Sequence, residues 1–179
     1  MTTRVVLGID PDLWNIGVAI VTKEGVENVS IISQYGKPRG DKAVIGMASF
    51  VMDSLADFII STDVIPDKVV IEGQMIYLRA KAGPDRIIRL AQVAGMCVLS
   101  AEFALPEATI VMPSPQMWKG SIPKHIKHKR ILDSVGWGYT GDKTIIPEVP
   151  EELQGTIDIA KHNWTHAIDA IGLAKWGLG

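Results

Sequence analysis

Cysteine is almost absent from this chain: Cys97 stands alone among 179 residues. One thiol excludes an internal disulfide and fits a reducing cytoplasm. The apolar run around it reads as packing. Long hydrophobic runs are missing as well. No stretch reaches the roughly 18 uninterrupted apolar residues of a membrane span, and the longest candidate, Ala94 to Leu105, is broken by Ser100 and Glu102. The N-terminus has no basic region followed by an apolar core, so no secretory leader is expected. Repeats, linkers and low-complexity tracts are lacking too, and residues 1–179 are most simply one domain. An excess of positive charge is also missing. A net charge of -2 argues against a protein that coats nucleic acid nonspecifically.

The positive charge that is present is unevenly spread. Segments 79–89 and 119–130 hold nine of the 18 Lys and Arg, with Asp85 the only acid among them. The nine are Arg79, Lys81, Arg86, Arg89, Lys119, Lys124, Lys127, Lys129 and Arg130. A local basic surface on a nearly neutral protein is what contact with a phosphate backbone needs. Solvated helix faces would give the same pattern.

The spacing predicts three strands over Arg4–Ile9, Ile16–Thr22 and Val26–Ser33, joined by short turns. The first alternates weakly, as a central strand buried on both faces does. A helix is expected over 43–60, where Val44, Ala48, Val51, Leu55 and Ile59 recur every three or four residues. Val64–Glu72 contains a fourth strand, and a long helix follows from Pro84-Asp85. Ala108–Met112 reads as a fifth strand, 113–125 as a loop, Ile126–Val135 as a short helix, 136–158 as an irregular insertion, and His162–Trp176 as the last helix. This order gives an α/β fold whose sheet has helices on both faces.

Four potential metal ligands sit at telling places. Asp10 closes the first strand, Glu72 ends the run Lys68-Val-Val-Ile-Glu72, and His166 and Asp169 lie one helical turn apart. Hard oxygen donors suit Mg²⁺ or Mn²⁺, and a histidine can join them or position a nucleophile. Two ions so held would hydrolyse a phosphodiester, one activating water and the other stabilising the leaving oxygen. Each residue has a plainer role open to it. Asp10 could cap the turn at Pro11, Glu72 could be a solvated strand end, Asp169 could pair with a surface lysine, and His166 could be a core histidine. Asp169 interrupts the apolar stretch Ala167-Ile-Asp-Ala-Ile171, where a charge is costly unless paired or metal-bound. His162 and His166 at i,i+4 raise a zinc reading with Asp169, but the Glu of a His-Glu-x-x-His pattern is missing.

The ordered motifs carry a resemblance. Leu7-Gly-Ile-Asp-Pro11, Gly17-Val-Ala-Ile20, Val70-Ile-Glu-Gly-Gln74 and Leu90-Ala-Gln-Val-Ala-Gly95 come first. Pro115-Gln-Met-Trp-Lys-Gly120, Ile122-Pro-Lys124 and His166-Ala-Ile-Asp-Ala-Ile-Gly-Leu-Ala174 follow. In this order they resemble the RuvC family of Holliday-junction resolvases, particularly its phage-borne branch, within the ribonuclease H-like superfamily. The resemblance implies a mixed five-stranded sheet, three antiparallel strands and then parallel ones, flanked by helices. It also implies a homodimer in a bacterial or phage-infected host cytoplasm that nicks four-way DNA junctions with Mg²⁺ (or Mn²⁺), two ions to a site. By it Asp10, Glu72, His166 and Asp169 form the metal site, Lys119 and Lys124 lie near the scissile phosphate, and Lys124 is catalytic.

The chain departs from the family pattern at two points. Asp12 stands where the family has Gly, and Met75 where an aromatic residue is expected, leaving Tyr77 as the nearest ring for stacking on an opened base. With Tyr77, the expected DNA contacts are Arg79, Lys81, Arg86, Lys119, Lys124, Lys127, Lys129 and Arg130. Rival readings are a broader branched-DNA or flap endonuclease and a non-catalytic nucleic-acid-binding module. Actin-like ATPases and sugar kinases share the opening strand and turn, but they need two such domains and a second phosphate-binding hairpin.

Overall fold

The computed structural model describes residues 4–34, 41–73, 83–142 and 144–179, without the side chains of Ala43 and Ser49. Tyr77, Arg79, Lys81 and Met75 lie outside the described residues. Strand β1 (Val6–Asp10) is buried along its whole length. It pairs antiparallel with β2 (Asn15–Val21), which pairs antiparallel with β3 (Val26–Ser33). On its other edge β1 pairs parallel with β4 (Lys68–Ile71), and β4 with β5 (Thr109–Val111). The sheet order is β3-β2-β1-β4-β5, the mixed five-stranded arrangement the motifs imply.

The two-residue period of a strand divides the core. Val5, Leu7 and Ile9 of the first strand segment and Val69 and Ile71 of β4 join one apolar cluster. That cluster is capped by α1 (Asp41–Ile60) and α2 (Pro84–Ala104), which pack on each other. Val6 and Val70 join the opposite cluster with α5 (Trp164–Leu178) and α4 (Lys124–Ser134). Asp10 and Glu72 share the parity of Val6 and Val70, so both face the α5 side. The register Ile9↔Ile71 then puts them next to one another across the parallel pair.

α5 lies unusually close to the sheet. A methyl group built on Gly8 would strike the Ala170 carbonyl oxygen, and one on Gly17 would strike that of His166. Only glycine lets the helix backbone rest on β1 and β2 there.

α2 is long and apolar enough, by length and composition, to cross a membrane. Its Val93, Ala94, Cys97, Ser100 and Ala101 are buried in the body of the protein, and burial pushes the Cys97 thiol up to about 12. Its outer side keeps Ile88, Leu99 and Phe103 exposed.

Two segments differ from expectation. The proline-bearing stretch expected as a loop contains α3 (Pro115–Lys119), with Pro115 in the first turn, where its missing N–H costs nothing. Gly120, at φ 64°, stops it immediately after Lys119. The insertion expected to be irregular contains a small two-stranded sheet, β6 (Gly138–Thr140) with β7 (Ile146–Glu148), too short for its period to show in sequence.

Candidate active site

Asp10 and Glu72 emerge from β1 and β4 beneath α5, both 8% exposed. The Glu72 N–H donates to the Ile9 carbonyl at 3.0 Å, continuing the parallel ladder and fixing the carboxylate beside Asp10. From α5, His166 Nδ1 lies 2.8 Å from Asp10 Oδ2, and Asp169, one turn on, is 2% exposed. All four expected ligands therefore face one side of the sheet.

Lysine joins them. Lys119, at the end of α3, puts Nζ 2.8 Å from Glu72 Oε2 and 3.3 Å from Asp169 Oδ2. Its neighbour Trp118 is buried in the α5-side core and anchors the short helix. Lys124, at the start of α4, reaches Asp169 Oδ2 at 2.9 Å, and His128 Nε2 lies 3.1 Å from Asp169 Oδ1. Sequence reading missed His128. The available signal was its helical spacing from Lys124 and from buried Ile131 and Leu132, which puts it on the inner face of α4.

The carboxylates are not equivalent. Burial raises Asp10 above the usual carboxylate range, repulsion from Asp169 adds to it, and the His166 hydrogen bond only partly offsets both. Burial, with repulsion from Asp10, lifts Glu72 to about 6. Burial also opposes ionisation of Asp169, but its His128 hydrogen bond and the Lys119 and Lys124 ammonium groups together hold it well below its ordinary value. Lys119 and His166 are each disfavoured as cations by burial. The acids around Lys119, and Asp10 beside His166, outweigh that and raise both.

Among the described residues no three Asp, Glu, His or Cys side chains converge closely enough to hold an ion as they stand. The Lys119 ammonium bridges Glu72 and Asp169 instead. The donor chemistry nevertheless fits a hard divalent cation: three buried carboxylates and an imidazole. Glu72 Oε2 is also buried without a well-aligned hydrogen bond, although the Lys119 charge is close.

The expected DNA-contact residues separate. Lys119 and Lys124 belong to the acidic cluster itself. Both line a cavity of about 380 Å³ with Asp169 and Lys127. Lys127 Nζ lies 5.9 Å from the Trp118 ring centre; Lys129 Nζ is 5.5 Å from that of Tyr139 and 3.6 Å from exposed Asp142. Arg130 is exposed, and Arg86 on α2 faces Asp12 at 3.9 Å. Asp12 takes the turn-capping role, accepting from the Trp14 N–H at 3.1 Å. His162 sits exposed in a turn ahead of α5, and it lines a cavity with Lys161 and Thr165.

No protein-family model matches the chain, and no curated protein matches it in sequence. Solved structures do match. Thermus thermophilus RuvC in complex with a Holliday junction substrate aligns with TM-score 0.61 and 16% identity over 96% of this chain and 90% of that one. A second Thermus thermophilus RuvC structure aligns with TM-score 0.57 and 16% identity, covering 96% and 91%. The yeast mitochondrial Holliday junction resolvase aligns with TM-score 0.53 and 17% identity, covering 97% and 80%. This chain has the RuvC, ribonuclease H-like fold.

Proposed function

We propose that this protein is a divalent-metal-dependent endonuclease of the RuvC type that nicks symmetric strands of four-way DNA junctions. The observation that carries the reading is the gathering of buried Asp10, Glu72 and Asp169 with His166 at one strand-end edge, beside a basic cavity. The fold around them is one in which Thermus thermophilus RuvC is seen with a Holliday junction substrate.

Asp10, Glu72 and Asp169, with His166, would hold Mg²⁺ or Mn²⁺. When bound, two such ions activate the attacking water and stabilise the leaving 3′ oxygen. The protein's own groups do the rest. Asp10 fixes the His166 ring through Nδ1, and Nε2 is left to position a water or take its proton. Lys124, half exposed and 2.9 Å from Asp169, stands where a cation stabilises charge growing on a phosphate. Lys119, Lys127 and the outer α4 residues Lys129 and Arg130 supply backbone contacts.

A second copy of the chain would supply the second nick, because a two-fold pair matches the symmetry of a junction. Ile88, Leu99 and Phe103 are exposed along the outer side of α2, and the small residues Ala91 and Gly95 lie between them. That face supports close helix-to-helix contact. Ala94 and Ala101, by contrast, are buried in the chain's own core.

The deciding experiment offers purified protein and Mg²⁺ to a four-way junction, a fork, a flap and plain duplex, with light scattering on the junction complex. Paired cuts confined to the junction, made by a dimer, are expected. Equal cutting of fork and flap by a monomer would favour a broader branched-DNA nuclease, and no cutting of any substrate would end the enzymatic reading.

A further inference from the structure

Behind α4, away from β1 and β4, lies a second cavity of about 300 Å³ whose lining is rich in basic side chains. Lys124 and His125 enter it from α4, Lys161 and His162 from the turn ahead of α5, and Thr144 and Thr165 add hydroxyl groups. Among the described residues no acid lines it. Lys124 and buried His128, which also lines it, are tied to Asp169. Lys161, His125 and His162 are exposed and make no ion pair among the described residues.

Three separated segments thus converge on a concave place that gathers positive charge and hydroxyl donors. Lys161 brings an ammonium group with no acid beside it among the described residues, and the imidazoles and hydroxyls add hydrogen-bonding groups, a set that suits a tetrahedral oxyanion. Lys124 lines both this cavity and the one that holds Asp169, so the two are neighbours. Thr144 and buried Ile145 line it from the connection that leads into β7.

We propose that this cavity binds a phosphodiester group of the DNA strand being cut, next to the phosphate at the acidic cluster. The inference rests on the nuclease reading for its ligand, but its chemistry can be tested separately. With a phosphate seated on each side of Lys124, the strand is held at two points. Its register over Asp10 and Glu72 is then set before any chemistry occurs.

The test uses the full chain in EDTA. Anisotropy of a labelled junction is followed across a salt series for wild type, the double variant Lys161→Ala/His162→Ala, and Lys161→Arg. Without this phosphate site the slope of log affinity against log salt should become shallower by about 0.9, on the order of tenfold in affinity near 0.1 M salt. Lys161→Arg keeps the charge and should keep the wild-type slope. In parallel, inorganic phosphate is titrated against the His125 ring resonances, with matched chloride as control. A saturable shift is expected in wild type and not in the double variant.

An unchanged slope with no phosphate shift overturns the proposal. A phosphate shift with an unchanged slope makes the cavity a free-phosphate site and overturns the backbone assignment. Wild-type protein that binds no DNA at all ends the nuclease reading instead, and the phosphate titration still decides whether the cavity takes an anion. Matched thermal melts keep a misfolded variant from counting as a positive result.

Discussion

Asp10 and Asp169 are buried to a similar degree, at 8% and 2% exposure, yet their surroundings pull their charges in opposite directions. Asp10 has one close partner, His166, and its carboxylate is held less readily than in water. Asp169 has Lys119, Lys124 and His128 around it and is held more readily. On the strand side Asp10 has only the imidazole and Glu72 shares Lys119 with Asp169, so that side holds less positive charge for each acid than the helix side. A buried charge short of partners costs stability. That makes the strand side the place where an incoming cation gains most and the helix side the part that folds complete.

Exchanging each aspartate for asparagine probes this contrast most strongly. Asp10→Asn and Asp169→Asn should each cut junctions at least roughly 10²–10³-fold more slowly, while junction affinity without metal persists. Their metal-free stabilities should diverge. Asp169→Asn leaves His128 without its carboxylate, takes one of the two acids from Lys119, and should cost about 3 kcal/mol in a denaturant titration. Asp10→Asn removes an under-compensated charge and should leave the fold as stable or more so. Wild-type cutting by Asp10→Asn would sink the site assignment, and equal destabilisation by both changes would sink the contrast.

A smaller effect follows from Glu72, lifted from 4.5 to about 6. Between those values the folded chain holds a proton that the unfolded chain has released, so stability falls as pH rises through the window. Above it the loss stays constant, on the order of 2 kcal/mol for such a shift. His166, also raised, acts in the same direction: its contribution is full below its unfolded value and is lost as pH rises through the folded one. Asp169 runs the other way, contributing above its unfolded value and losing that as the solution becomes strongly acidic. Metal-free protein should therefore melt at lower temperature at pH 7 than at pH 5, Glu72→Gln should flatten the difference, and Mg²⁺ should raise the melting temperature at pH 7. A flat wild-type profile would remove the charge surplus from the strand side.

The smallest effect lies at the outer edge of the helix side. Lys127→Ala with Lys129→Ala should lower the junction salt slope by about 0.9 for each phosphate no longer neutralised. Both side chains lie within reach of aromatic rings, so a modest loss of stability should accompany it. An unchanged slope would take this face of α4 out of the interface.

Much of the strand side was legible in the sequence, because a two-residue period and a strand-end position are local facts. Asp10 and Glu72 could be assigned one face from Val6 and Val70, and the single-turn spacing of His166 and Asp169 needs only a helix. The helix side was hidden. The lysine that bridges Glu72 and Asp169 comes from a five-residue helix too short to show a period; the resemblance set it near the scissile phosphate, but nothing local showed that it would join two of the acids. His128 meets Asp169 across 41 positions of sequence, a separation no local pattern reports. The β6–β7 hairpin, with three residues to a strand, looked like loop for the same reason. Of the small residues along α2, Ala94 and Ala101 turn inward, since alanine fits a packed sheet as readily as a partner helix.

The seating of α5 on Gly8 and Gly17 gives the molecule a built-in gauge. Backbone rests on backbone there, so the height of His166 and Asp169 above the strand ends does not depend on the size of any side chain beneath them. The aliphatic residues elsewhere in the interior are then free to exchange for others of similar volume without altering the spacing of the acids. A chain built this way can drift far in sequence while its chemistry stays in place. A methyl group added at Gly8 or Gly17 would lift α5 and move the acids without touching any of them.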